Sequence, residues 1–354
     1  MATIFSAEKS LTSQTSDEAV EHEQEQEADE GRSSESYTEI ISTLPREKGW
    51  TTEYMYQYQG FWYLSTTGVE GVMRVQKHFK ARNEDILLAT LPKSGTTWFK
   101  PLIFAIMNRG RCDFATHPVL TTSPHDLVPP LENYFHQNIA YPNLDSLSSP
   151  QLLFHTHISF TSLPQSVINS QGRIVYVCRN PKDVFVSTFY FLNRMADKNV
   201  EPLSVEEAFE QFCKGVSFYG PFWDHVLGYW KASLEWPERV LFMKYEDMKK
   251  DSPFHLKRLA EFMGCPFSSE EERQGVVHEI LKLCSFENLS NLKVNNTGTF
   301  QLGTRKIGKH IFFRQGEVGD WRNHLTNDMV DRLNKIVEQK LSGSGLTFHD
   351  SVER

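Results

Sequence analysis

The run Asp85-Ile-Leu-Leu-Ala-Thr90, together with the loop and helical pattern directly after it, restricts the fold more than any other stretch of the chain. A short apolar run of this kind reads as a buried strand. Beyond the loop Leu91–Thr97, the apolar pairs Trp98/Phe99, Leu102/Ile103 and Ile106/Met107 recur every four residues, the spacing of one helical face. Asn108-Arg-Gly110 supplies a closing glycine. The order returns in Arg173–Cys178, the loop Arg179-Asn-Pro-Lys182 and an apolar helical stretch Asp183–Met195, with Asp183 as candidate cap. Val240–Tyr245, with Glu246-Asp247 opening a helix, and Gln151–His155 add two more strands. Strands alternating with helices predict an α/β fold, a single domain with a central parallel sheet flanked by helices. Ligands of such sheets bind beyond the carboxyl ends of the strands, where the loops after Thr90, His155 and Cys178 meet.

Composition bounds the rest. Residues 1–35 hold ten acidic and two basic side chains, which accounts for the net charge of −8 and leaves 35 of each sign in the remainder. A neutral body argues against nucleic acid as a partner, so any anion is gripped by a few placed groups. Residues 1–43 are too rich in Ser, Thr, Glu and Gln to bury a core and read as a disordered acidic tail; 44–354 form the domain. The five cysteines share no C-x-x-C spacing, so neither a disulfide framework nor a zinc site is expected. No basic-then-apolar leader and no long apolar span is read, so the expectation is a cytoplasmic protein with no membrane partner.

Four segments carry chemistry. Leu91-Pro-Lys-Ser-Gly-Thr-Thr-Trp98 joins a strand to a helix start, where N–H groups, the positive dipole end and Lys93 make an anion cradle. It is not a Walker A loop, since Lys93 precedes Gly95. A polar turn with a capping threonine reads equally well from the spacing. Arg179 at a strand end and Ser187 early in the next helix suit a second phosphate, or Arg179 forms a surface ion pair with Asp183. His157, in Phe154-His-Thr-His-Ile-Ser159, is able to take a proton near neutral pH, or is structural. His155 shares its side if the strand continues. Arg314-Gln-Gly316 brings a guanidinium and backbone N–H groups together. Trp98, Tyr245 and Phe286 are able to flank a purine or to pack in the core.

Together these segments resemble the cytosolic sulfotransferases, the plant soluble branch in particular, from about Leu44 to Phe348. Residues 91–98 match the family's 5′-phosphosulfate loop, Arg179–Ser187 its 3′-phosphate segment, and Arg314–Trp321 its C-terminal glycine signature. The resemblance implies 3′-phosphoadenosine-5′-phosphosulfate as donor, a small hydroxylated acceptor and no metal. It implies Lys93 at the oxygen bridging phosphate and sulfate, and Ser94, Gly95, Thr96 and Thr97 around the 5′-phosphate. Trp98 and Phe286 would sandwich adenine near Tyr245, Cys284 and Ser285, while Arg179, Ser187, Arg314, Gln315 and Gly316 hold the 3′-phosphate. His157 would be the base. Three departures stand out: Gln315 replaces the family's usual lysine, Arg322 a lysine, and Ser159 a proline.

The mechanism this implies is in-line transfer, His157 taking the acceptor proton while Lys93 meets charge on the leaving phosphate. A catalytically inactive adenosine 3′,5′-bisphosphate-binding protein and a P-loop small-molecule kinase are the alternatives. Acceptors of hydroxyjasmonate, flavonoid or steroid type are all compatible, with loops 54–63, 117–134 and 195–219 lining the pocket and Phe61, Trp62, Tyr134 and Phe135 contributing an apolar wall. Monomer and homodimer stay open.

Overall fold

The structure is a computed structural model that describes residues 37–133, 153–196, 199–302, 305–348 and 350. The chain divides into two units, 1–45 and 46–354. In the first, residues 37–42 are helical, and Thr43 and Leu44 close the last turn through their N–H groups on the Ile40 and Ile41 carbonyls.

The second unit opens with three short antiparallel strands, β1 (Arg46–Lys48), β2 (Tyr54–Tyr58) and β3 (Phe61–Tyr63). Gln59 and Gly60 join β2 to β3 with φ of 50° and 86°, the left-handed pair a two-residue hairpin turn requires. Helix α1 (Thr66–His78) comes next. Then comes the alternation read in the sequence: β4 (Ile86–Thr90), α2 (Thr96–Asn108), β5 (Leu153–Thr156), β6 (Arg173–Cys178) and α3 (Pro181–Met195). It continues through α4 (Phe222–Glu235), β7 (Val240–Lys244), α5 (Tyr245–Lys250), α6 (Ser252–Phe262), α7 (Val276–Leu283) and α8 (Phe286–Asn291). A hairpin of β8 (Thr299–Leu302) and β9 (Arg305–Gly308) and the helix α9 (Asn327–Leu341) lie toward the C-terminus.

The central sheet runs β5-β4-β6-β7, all parallel. Its strands are buried on both faces, and alternate side chains serve different layers. Leu88, Val175, Val177, Leu241 and Met243 pack with Phe99, Leu102 and Ile106 of α2 and with α6 and α7. On the intervening positions, Tyr176 stacks on Tyr229 of α4 at 4.1 Å, and Phe242 meets Trp230 edge-on at 5.1 Å.

The elements expected from periodicity are present, with altered ends. Helix α3 begins at Pro181, capped by Asn180, whose side chain accepts the Lys182 N–H. Asp183 therefore lies inside the first turn and is not the cap. Helix α2 passes into Arg109 at φ −58°, so Gly110 does not close it in the left-handed conformation. Tyr245 opens α5 and does not end β7. Residues 151 and 152 lie outside the described residues. The first three strands are absent from the sequence reading: residues 54–63, expected as a pocket loop, form β2 and β3, whose Tyr- and Gln-rich segment is not an uninterrupted apolar run, and β1 has only three residues.

Leu88 sits fully buried on the second strand of the sheet, between β5 and β6. Leu88→Ala should lower the unfolding free energy by about 2–5 kcal/mol, the range for a buried leucine that leaves a cavity, read as a fall in the urea midpoint.

Candidate active site

The strand register decides which residues meet. Thr90 pairs with Val177, Ala89 with Thr156 and Cys178 with Lys244. The next residues along each strand, Leu91, His157, Arg179 and Tyr245, therefore emerge at one edge of the sheet. At that edge lies a cavity of about 800 Å³, lined among others by His157, Arg179 and Tyr245.

The loop after β4 is held by its backbone. Lys93 adopts φ 69°, a left-handed conformation uncommon outside glycine. Gly95 stands at φ 112°, where a Cβ would approach the Tyr245 ring to 2.7 Å. Thr96 Oγ1 and Thr90 Oγ1 are 2.7 Å apart, tying the helix start to the strand end. Among the described residues no side chain caps α2, whose first residues, Thr96 and Thr97, line the cavity with the positive end of the helix dipole.

Five cationic side chains line the same space: Lys93, Arg179, Lys249, Lys309 and Arg314. Burial, then the neighbouring arginines, push the Lys93 ammonium down to about 7. Its Nζ lies 4.0 Å from the Phe191 ring centre. The Arg179 guanidinium lies over Tyr245 at 4.7 Å and donates from Nη2 to the Glu317 carbonyl at 2.5 Å. Arg314 pairs with Asp320 at 2.6 Å. The Nε atoms of both arginines are buried and have no partner among the described residues.

The Arg179–Asp183 pair exists at 3.4 Å, but it is buried, not on the surface. Asp183 also accepts the N–H groups of Gly319 at 2.8 Å and Trp321 at 3.1 Å. One carboxylate thus fastens the C-terminal loop to α3 and fixes Arg179. Tyr245 adds a second fastening, its hydroxyl donating to the Gly316 carbonyl at 2.8 Å. Gly316 has φ 69°, and a Cβ there would come within 2.5 Å of Phe286.

Of the residues expected around a nucleotide, Lys93, Gly95, Thr96, Thr97, Trp98, Arg179, Ser187, Tyr245, Ser285, Phe286, Arg314, Gln315 and Gly316 all line the cavity. Ser94 and Cys284 do not. Cys284 is packed in the core behind α2, and Ser94 is fully buried with a hydroxyl unpartnered among the described residues. Trp98 meets Tyr245 edge-on at 5.5 Å, while Phe286 is partly exposed. Gln315 is exposed at the rim. Ser159 adopts φ −62°, the angle a proline ring would impose, so the local backbone is the same without it.

His157 is held by nearly every polar atom it has. Its N–H donates to Glu132 Oε1 at 2.7 Å, and its carbonyl accepts from His225 Nε2 at 2.9 Å. Nδ1 lies 2.8 Å from the Thr90 carbonyl, which has no proton to give, so Nδ1 carries the hydrogen and Nε2 is the lone-pair nitrogen. Burial, against the Thr90 hydrogen bond, pushes the imidazole down to about 3, and Lys100 and His225 add to the shift. Glu132 is buried and also accepts from the Thr156 hydroxyl at 2.9 Å. Burial raises its carboxyl above the usual range. Gly71 of α1 lies so close to the Glu132 carbonyl that a Cβ would stand 2.9 Å away.

Sequence reasoning does not find Glu132, His225 or Thr90, nor the buried Lys100, whose Nζ lies 2.9 Å from Nδ1 of His125. His155 and His125 line the cavity beside His157, together with Phe191, Phe300 and Phe312. Phe61 and Trp62 do not line it. Both are buried, and Trp62 exchanges backbone hydrogen bonds with Tyr219 and Gly220. Their apolar character, expected to form a cavity wall, serves the core. Tyr134 and Phe135 lie outside the described residues.

The sequence pattern of the Sulfotransferase domain family matches residues 83–345. "Cytosolic sulfotransferase 15" of Arabidopsis thaliana is 46% identical over 326 residues, 91% of this chain and 89% of that protein. The crystal structure of an Arabidopsis thaliana "putative steroid sulphotransferase" superposes with a TM-score of 0.68 at 41% identity, over 88% of this chain and 94% of that one. A mouse sulfotransferase complexed with PAP gives 0.60 at 26% identity, over 82% and 95%.

The buried imidazoles have a consequence for stability. His225 is fully buried, and burial pushes it down to about 4 from 6.5. Between those values the unfolded chain binds the proton and the folded chain does not. Stability is therefore lost as pH falls through this window, by about 2 kcal/mol at pH 5 for this group alone. Urea titrations at pH 7 and pH 5 should show that loss, and His225→Asn should flatten the slope.

Proposed function

The chain belongs to the sulfotransferase family, and on that premise we propose that it moves a sulfuryl group from 3′-phosphoadenosine-5′-phosphosulfate to a hydroxyl of a small metabolite, with His157 as general base. One observation carries the base assignment: Nε2 of His157 is the one polar atom of that residue left uncommitted among the described residues, and His157 borders the cavity that Lys93 also lines. The donor's fit rests on what the site leaves unpaired. Buried Nε–H groups on Arg179 and Arg314, uncapped N–H groups on α2 and a depressed lysine all call for an anion with more than one phosphate-like group.

Lys93, with the first-turn amides of Gly95 to Thr97, would hold the 5′ end of the donor. Arg179, Ser187 and Arg314 would hold the 3′-phosphate, and Trp98 and Phe286 the adenine. The donor supplies a sulfuryl group on an anhydride oxygen. His157 Nε2 takes the acceptor's hydroxyl proton as the oxygen–sulfur bond forms, and Lys93 meets the electron pair left on phosphate as the old sulfur–oxygen bond breaks. A free imidazole near 3 is a weak base. The donor's negative charge acts on it in the opposite sense to the surrounding cations and raises it toward the range useful for proton transfer. The cytosolic setting of its relatives is proposed for this chain too.

Two measurements test this reading. With radiolabelled donor, His157→Ala should lower kcat by about 10²–10⁴-fold while adenosine 3′,5′-bisphosphate binds as in the wild type. Unchanged turnover would remove His157 from the mechanism. Lys93, near 7 when free, should be raised by the bound anion, so nucleotide binding at pH 8 should take up close to one proton. Calorimetry in two buffers of different ionisation heat reads this, and Lys93→Met should abolish most of the uptake.

A further inference from the structure

We infer that His155 reads a second hydroxyl on the acceptor, so that this enzyme favours acceptors with two neighbouring hydroxyl groups over their monohydroxylated analogues. The inference rests on the sulfotransferase reading with His157 as base. Strand β5 alternates its side chains, which sets His155 beside His157, their ring centres 5.3 Å apart. Both line the cavity.

The proton on His155 is fixed from behind. Its Nδ1 lies 3.1 Å from the Val128 carbonyl, which only accepts, so Nδ1 bears the hydrogen and Nε2 holds the lone pair. Nε2 has no partner among the described residues. The ring is buried and neutral, because burial and then the nearby Lys100 charge disfavour the imidazolium. Lys100 itself is engaged with His125.

A neutral imidazole presenting a lone pair repels sulfuryl and phosphate oxygens, which are acceptors as well. What suits it is a donor. His157 Nε2 takes the reacting hydroxyl, and His155 Nε2 next to it accepts from a hydroxyl a few bonds away on the same molecule. An acceptor without that group leaves a buried ring nitrogen unsatisfied, which is how sites built to bond a hydroxyl reject analogues lacking it.

The test uses matched probes: catechol against phenol, and cis-cyclohexane-1,2-diol against cyclohexanol. Each is titrated into the complex with adenosine 3′,5′-bisphosphate and assayed with radiolabelled donor. The diol of each pair should bind about 10-fold or more tightly and carry the higher kcat/KM. His155→Phe should collapse that ratio toward one, and His155→Asn, which keeps an acceptor oxygen, should restore part of it. Equal affinities within both pairs overturn the inference whether or not either is sulfated, as does a ratio that His155→Phe leaves intact. Failure of the parent reading looks different: the nucleotide does not bind, or His157→Ala still turns over.

Discussion

Like charges gathered on one cavity, Lys93, Arg179 and Arg314 among them, repel one another, and the fold has to hold them there. Lys93, through its burial first and the neighbouring arginines second, loses much of its affinity for a proton. Arg179 and Arg314 are held by Asp183 and Asp320 and by the faces of Tyr245 and Tyr190. Those contacts leave a buried Nε on each arginine without a partner among the described residues. The cavity thus keeps hydrogen-bonding capacity in reserve on cationic groups that the fold already holds in place.

Next to these cations, the His157 imidazole is fixed through its backbone as much as through its ring. Glu132 and His225 grip the N–H and carbonyl of His157, and Tyr176 holds His225 in turn through a 2.9 Å hydrogen bond. Because Nδ1 faces the Thr90 carbonyl, the tautomer is decided by the neighbouring strand. The same device recurs two residues earlier at His155 and Val128. Two imidazoles at the end of one edge strand thus line the cavity, each with its tautomer set by a carbonyl.

The parts legible in the sequence are those carried by local pattern. Buried strands such as Ile86–Thr90 and Arg173–Cys178 come from uninterrupted apolar runs, and the Lys93 loop and Arg179 from their place at strand ends. Glu132 and His225 are not legible, because their contacts to His157 join residues 25 and 68 positions apart, with no spacing to betray them. Phe61 and Trp62 mislead since an aromatic side chain looks alike whether it fills a core or walls a cavity. Asp183 has the local pattern of a cap or a surface partner. Its part in holding the loop of Gly319 and Trp321 belongs to the tertiary structure alone.

That last bond also has a bearing on biosynthesis. Asp183 closes onto amides 136 and 138 residues further along the chain. A nascent polypeptide emerging from the ribosome can pair its parallel strands early, but its cavity stays open on one side until the segment around Trp321 has been translated. Contacts of such long sequence separation form late and slowly. The sheet is therefore complete well before the enzyme is.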